Sequence, residues 1–391
     1  RSMYDFDKII DPSGTSRMKY GTPPKGAPAD TIPMWIADMD FQVPTEVMDA
    51  LKKRVEHGIF GYTTPPQSYR EAVAGWMQRR HNWTIQPEWI QVAPGIIPAL
   101  KTAVAAFTQP GEGVLVQTPV YYMFMEVIKL LGRQVVENPL VETPDGYRMD
   151  FEDFERQILD HQIKLFFLCN PHNPVSRVWT EEELRRMGEI CKKHGVIVVS
   201  DEIHHDFIFG GRTFIPFAAV DPSYGDFTIT CTAPSKTFNL AGLKTSNTII
   251  SNPELSARYA KVAKEFGQTG INPLSICAVE AAYTYGDRWV DELLAYIWEN
   301  FRTLEDFIQK EMPQLRLTNP ECLYLAWVDV SGMGMDGEAF YQQALTQGVW
   351  LEAGQEFGAS GKNFVRFNLA CPRSVLRKAL ARIKQISPAN P

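Results

Sequence analysis

Three groups of polar residues each follow a short apolar run. Asn170-Pro171-His172-Asn173-Pro174 follows KLFFLC, Asp201-Glu202-Ile203-His204 follows GVIVVS, and Thr232-Ala233-Pro234-Ser235-Lys236 follows FTITC. In an open α/β sheet, ligands bind beyond the carboxyl ends of the strands, so an amide, an acid and an amine converge on one rim. That trio is what a pyridine aldehyde such as pyridoxal 5′-phosphate requires. The aldehyde needs an amine to hold it, the ring nitrogen needs a carboxylate to keep it protonated, and the phenolate and phosphate need donors. A lysine beside a desolvated cationic ring has a depressed pKa and serves as nucleophile and proton carrier. Taken singly, each group has a bland reading. A lone Lys is a surface charge, an Asp after a strand caps a turn, and NPxNP is a turn. The order of the groups and their common rim make the pattern specific.

The elements that must position these residues are also written in the chain. GVLVQ at Gly113, KLFFLC at Lys164, GVIVVS at Gly195, FTITC at Phe227 and SNTIIS at Ser246 are continuous apolar blocks, not alternating ones. Such blocks predict strands covered on both faces, as in a mainly parallel sheet. Between two of them, TEEELRRMGEICKKHG predicts a helix capped by Thr180, closed into a capping box by Glu183 and stopped by Gly195. Strand, helix and strand in series give a doubly wound α/β domain. Upstream, VPTEVMDALKKRVEHG predicts a helix with Thr45 as its cap and Gly58 as its stop, and a second helix follows from Ser68. Beyond Pro273 a long helical stretch leads to a second α/β region containing LYLAWVDV and NFVRFNL, then to a closing helix, SVLRKALARIKQI. The expected division is an N-terminal arm of residues 1–45 belonging to a small domain, a large domain over 46–285 and the rest of the small domain over 286–391.

Composition limits what such a protein does. The 391 residues exceed one ordinary core, and 45% hydrophobic with 22% charged residues is a soluble globular balance. A net charge of -7 argues against a nucleic-acid surface. No apolar stretch approaches the length of a membrane span. The first residues, RSMYDFDKIIDPSG, carry no leader pattern, and Arg1-Ser2 ahead of Met3 reads as a cloning remnant. Six scattered cysteines without a CxxC pair read as free thiols in a reducing cytoplasm. No metal-ligand spacing appears: His204 and His205 are neighbours, which on a strand would face opposite ways.

NPHNP, SDEIHHD, SKTFNLAGLK and FVRFNLACPR resemble, in that order and across essentially the whole chain, the signatures of fold-type I pyridoxal-phosphate enzymes of the class I/II aminotransferase family. WIADMDF, FGYTTPP, TPVYYMF, SDEIH, LYLAW and FVRFNLACPRS resemble the MalY/PatB branch, the cystathionine β-lyases and related cysteine-S-conjugate C–S lyases. The resemblance implies an aspartate-aminotransferase-like fold, with a mainly parallel sheet in the large domain and a smaller α/β domain. It assigns the Schiff base and the Cα proton to Lys236, the pyridine nitrogen to Asp201, and the cofactor's phenolic oxygen to Asn173 and His204. Tyr121 matches the residue that stacks on the ring. The N–H groups of Gly95-Ile96-Ile97, with Ser235 or Thr232 and Lys244, fall at the phosphate. Tyr62 matches a residue that reaches the phosphate of a partner subunit, which implies a homodimer with shared active sites. Arg366 matches the bidentate clamp of the substrate α-carboxylate, assisted by the main chain of Ala37 and by Asn173. His172 and His205 are read as structural.

Three positions depart from the family pattern. Ala233 stands where Ser is frequent, Lys244 where many relatives have Arg, and Val175-Ser176 where the asparagine loop usually continues Thr-Gly. The implied reaction is β-elimination from L-cystathionine or a related cysteine S-conjugate to a thiol, pyruvate and ammonia. The alternatives are an aminotransferase and a cofactor-binding regulator. The transcription-factor form of the latter lacks a DNA-binding pattern before Met34.

Overall fold

In the computed structural model, which describes residues 4–268 and 270–389, all five apolar runs are strands of one sheet. Arg1 and Ser2 lie outside the described residues. The sheet has seven strands in the spatial order Ile90–Ala93, Ser246–Ile249, Thr228–Thr232, Ile197–Asp201, Leu165–Cys169, Gly113–Val116 and Gln134–Glu137. Only Ser246–Ile249 runs against its neighbours. The continuous blocks have a simple cause. Phe166 and Leu168 enter the hydrophobic cluster on one face, while Leu165, Phe167 and Cys169 enter the cluster on the other. The sequence reading passes over the first and last strands, because IQVA and QVVE carry polar residues and stand at the sheet's edges.

A second sheet is wholly antiparallel, in the order Arg316–Leu317, Leu325–Asp329, Phe364–Asn368, Glu352–Ala353. The N-terminal arm is bound beside it. Ile32–Pro33 pairs in parallel with Val349–Trp350, and Asn368 Nδ2 donates to the carbonyls of Ile36 and Asp38 at 2.7 Å each. Residues 34–41 are thereby held where the two sheets meet.

The helix from Glu181 to His194 has the expected capping box of Thr180 and Glu183, and Gly195 closes it at φ 67°. Thr45 corrects the reading of the first helix. It is the first helical residue, Pro44 takes the cap with extended geometry, and no side chain caps the turn. The asparagine loop keeps its tight turn without glycine. Ser176 adopts φ 67°, and its hydroxyl donates to the Cys322 carbonyl at 2.7 Å while accepting from the amides of Glu321 and Cys322. All six cysteines are free, and five are buried. Among the described residues no helix is long and apolar enough to cross a membrane.

Candidate active site

Asp201 is the last residue of its strand, and its carboxylate accepts the Ile203 amide at 3.2 Å. Burial pushes this acid up to about 7, against the opposing pull of that amide and of Lys236. Lys236 stands in a short helix opened by Pro234 and donates Nζ to the Ala37 carbonyl at 2.6 Å. Burial, and then the nearby Arg366 guanidinium, push the amine down to about 8. An acid raised and an amine lowered thus both titrate close to neutrality within one cleft, the condition for proton traffic at physiological pH.

Asn173 is fixed by its neighbours. Its amide donates to Cys169 Sγ, its carbonyl accepts the Tyr121 amide at 3.1 Å, and its Oδ1 accepts Arg366 Nη1 at 3.3 Å. Arg366 comes from the middle of Phe364–Asn368, donates Nη2 to the Trp35 carbonyl at 2.9 Å and lies over the Phe357 ring. Among the described residues its Nε has no protein partner. His204 Nδ1 likewise has none, and burial followed by the Lys236 charge keeps this imidazole well below its usual pKa, hence neutral.

Two adjoining cavities collect these groups. One, of about 210 Å³, is lined by Ala37, Tyr121, Asn173, Asp201, His204, Lys236 and Arg366. The other, of about 160 Å³, is lined by Gly95, Ile96, Ser235, Lys244 and Thr245, and shares Ile97, Tyr121, Ile203 and Lys236 with the first. Gly95, at φ 124°, turns the chain into the helix Ile96–Phe107, so the free N–H groups of a twelve-residue helix open on the smaller cavity beside a lysine. That is an anion pocket next to an amine and an acid. With the unpartnered buried nitrogens of His204 and Arg366, the donor set fits a phosphorylated pyridine aldehyde and an amino-acid carboxylate.

Every residue given a cofactor or substrate role from the sequence lines one of these cavities except Thr232 and Tyr62. Thr232 is buried with an unpartnered hydroxyl and lines neither, whereas its alternative, Ser235, does. Tyr62 is fully exposed and stands apart from both. His204 and His205 do diverge, but from a turn and not a strand. His204 faces the cavity, and His205 stacks on His81 with ring centroids 4.0 Å apart. His172 is buried, with Nε2 against the Pro119 carbonyl.

The sequence reading missed four groups. Tyr324 donates its hydroxyl to the Ala37 carbonyl at 2.8 Å; the LYLAW segment pointed at it without giving it a role. Thr245 lines the anion pocket beside Lys244. Glu352 is buried in the wall of the larger cavity. Behind the lysine, Asp206 accepts Thr237 Oγ1 at 2.7 Å and Trp76 Nε1 at 3.1 Å, with His81 Nε2 at 2.7 Å. Burial would raise the Asp206 carboxyl, but His205 and His81 hold it well below the usual range. His81, His205 and Asp206 are close enough to suggest metal ligands, yet both carboxylate oxygens already face N–H or O–H donors.

Residues 29–383 match the family model of aminotransferase class I and II. The chain is 44% identical over 382 residues to the cystathionine β-lyase PatB of Bacillus subtilis (strain 168), covering 97% of this chain and 99% of that protein. It is 33% identical over 386 residues to protein MalY of Escherichia coli (strain K12), covering 97% of each. The crystal structure of cystalysin from Treponema denticola, which contains a pyridoxal 5′-phosphate cofactor, matches with a TM-score of 0.94 and 36% identity over 98% of each chain.

Proposed function

The chain belongs to the class I and II aminotransferase family, and from that premise we propose that it is a pyridoxal-phosphate-dependent carbon–sulfur β-lyase. Its substrates are L-cystathionine or related cysteine S-conjugates, and its products are a thiol, pyruvate and ammonia. When bound, the cofactor supplies an electron sink for charge developing at the amino acid's Cα.

The chain's own residues do the rest. Lys236 holds the cofactor and carries the Cα proton, a task suited to an amine lowered to about 8. Asp201 keeps a proton on the ring nitrogen. Asn173 and His204 serve the phenolic oxygen, and Tyr121 covers the ring. The helix N-terminus at Gly95-Ile96-Ile97, with Ser235 and Lys244, takes the phosphate. Arg366 clamps the α-carboxylate, helped by Asn173 and the Ala37 main chain. Tyr62 serves the phosphate of a second copy in a homodimer. Its full exposure, next to Ile59 and Phe60, which are also exposed, supports that reading. Six free cysteines suit a cytoplasmic enzyme.

The observation that carries the lyase over the aminotransferase is the wall beside Arg366. A transaminase for acidic amino acids needs a second cationic clamp there. Among the residues lining the cavity the only Lys and Arg are Lys236 and Arg366, and the wall holds the acid Glu352 instead. The test is turnover of L-cystathionine or an S-alkyl cysteine without any keto acid. Stoichiometric pyruvate and thiol are expected. Turnover that requires a keto-acid acceptor and yields no thiol replaces the lyase by an aminotransferase.

A further inference from the structure

Glu352 has no task in the scheme above, yet its placement is specific. It stands directly opposite Arg366 in the antiparallel ladder of the second sheet. Directly paired residues project from the same face with Cβ atoms about 5 Å apart, so the acid and the carboxylate clamp enter the cavity side by side. The residue is only 8% exposed. Among the described residues its carboxyl forms no salt bridge, and its side-chain hydrogen-bond partner is another acid, Glu356. Arg366 spends Nη1 and Nη2 on Asn173 and Trp35. An anion clamp does not need an acid at its side, since the acid weakens its hold on the substrate carboxylate. A buried carboxyl whose partner is a second acid is costly unless a proton or a cation meets it.

The surroundings extend the same sign outward. Glu356, exposed in the turn Gly354–Phe357, brings its carboxyl towards Glu352, and Glu338 adds to the negative field felt by Tyr341 nearby. We propose that Glu352, with Glu356 at the cavity mouth, recognises an ammonium group on the leaving half of the thioether, so that the enzyme selects cysteine S-conjugates whose thiol fragment carries a cationic amine. This rests on the lyase reading of the same site. Burial and the approach of Glu356 push Glu352 up to about 9, while Arg366 pulls it back, so the acid holds a proton before the substrate arrives. The entering ammonium replaces that proton, which leaves to solvent. The empty site therefore does not repel the substrate α-carboxylate from Arg366.

The test compares S-(2-aminoethyl)-L-cysteine with S-propyl-L-cysteine, which are alike in size and differ in an ammonium against a methyl. Wild-type holoenzyme is expected to prefer the aminoethyl compound by about tenfold or more in kcat/KM, mostly through KM, as one charge-assisted contact supplies. Glu352→Gln is expected to bring the ratio within about threefold of unity, and the surface change Glu356→Gln to lower it in part. Calorimetric binding of both compounds to the cofactor-loaded Lys236→Ala enzyme, which lacks the base for the Cα proton, reads the same ratio without turnover. That binding preference, with no thiol released by the wild type, would retire the lyase reading and leave this one standing. No preference in the wild type overturns the proposal. So does an equal loss on both compounds in Glu352→Gln, which would make the acid a support for Arg366.

Discussion

Lys236 Nζ donates to the main-chain carbonyl of Ala37 across 2.6 Å, and the same oxygen accepts the Tyr324 hydroxyl at 2.8 Å. The amine on the large sheet's rim is thus aimed by the N-terminal arm and by the second sheet together. This arrangement explains why the arm is pinned so thoroughly, by the Ile32–Pro33 pairing and by Asn368.

The first prediction concerns that amine. Borohydride reduction of the wild-type holoenzyme is expected to fix the cofactor to the peptide carrying Lys236. Lys236→Ala is expected to lose both the fixed label and the absorbance band of the linkage. A reducible linkage that survives in Lys236→Ala would mean that another lysine holds the cofactor.

Asp201→Asn separates function from stability. Without a cationic ring beside it, Asp201 binds a proton more tightly in the folded state than in the unfolded one, its pKa rising from 3.8 to about 7. Folded stability therefore falls as pH rises through that window and stays low above it. Asparagine removes the penalty, which amounts to as much as about 4 kcal/mol at about 1.4 kcal/mol per unit. Cofactor-free Asp201→Asn is expected to melt above cofactor-free wild type at pH 8, with the gap closing near pH 4. The loaded variant is expected to lose activity by roughly a hundredfold or more, since a neutral amide does not hold the ring's charge. A melting gap that ignores pH, or near-normal turnover, would refute the assignment.

Much of this site is legible in the sequence because the large sheet is built from unmistakable blocks. Asp201 and Lys236 each sit at the end of an apolar run, so finding the strand finds the rim. Glu352 gives no such signal. Its strand is two residues long, and only the ladder register places it beside Arg366. Asp206 is within the SDEIHHD segment, but its partners Trp76 and His81 lie on a helix more than a hundred residues earlier. Packing, and no local pattern, brings them together. Thr45 looked like a cap by residue type, while Pro44, with its fixed φ, had already set the helix entry.

The contact between Asp206 and Thr237 makes Thr237 a positioning residue, one step along the chain from Lys236. Thr237→Val keeps the shape and removes the donor, leaving a buried carboxylate with one partner fewer, a loss of about 1–3 kcal/mol. The lysine beside it is expected to lose its aim, lowering kcat about tenfold while KM moves less than about twofold. Thr237→Ser, which restores the hydroxyl, is expected to recover most of kcat. A fall in melting temperature with unchanged kcat would confine Thr237 to a structural part.

Tyr62 supplies the last prediction. The residue is fully exposed, and Ile59 and Phe60 nearby are 66% and 55% exposed, an expensive way to present three large apolar groups to water. A second copy covering this segment would bury them and carry the Tyr62 hydroxyl to the neighbour's phosphate pocket. Sedimentation is expected to give a dimer. Tyr62→Ala and Lys236→Ala are each expected to be nearly inactive as homodimers. After subunit exchange, half of the dimers are mixed, and each has one site with both an intact Lys236 and a partner's intact Tyr62. Exchange should therefore restore about a quarter of the wild-type sites, as two-fold sharing dictates. Mixed dimers that form, shown by a mass tag on one chain, but recover no activity would establish that each site is built from a single chain.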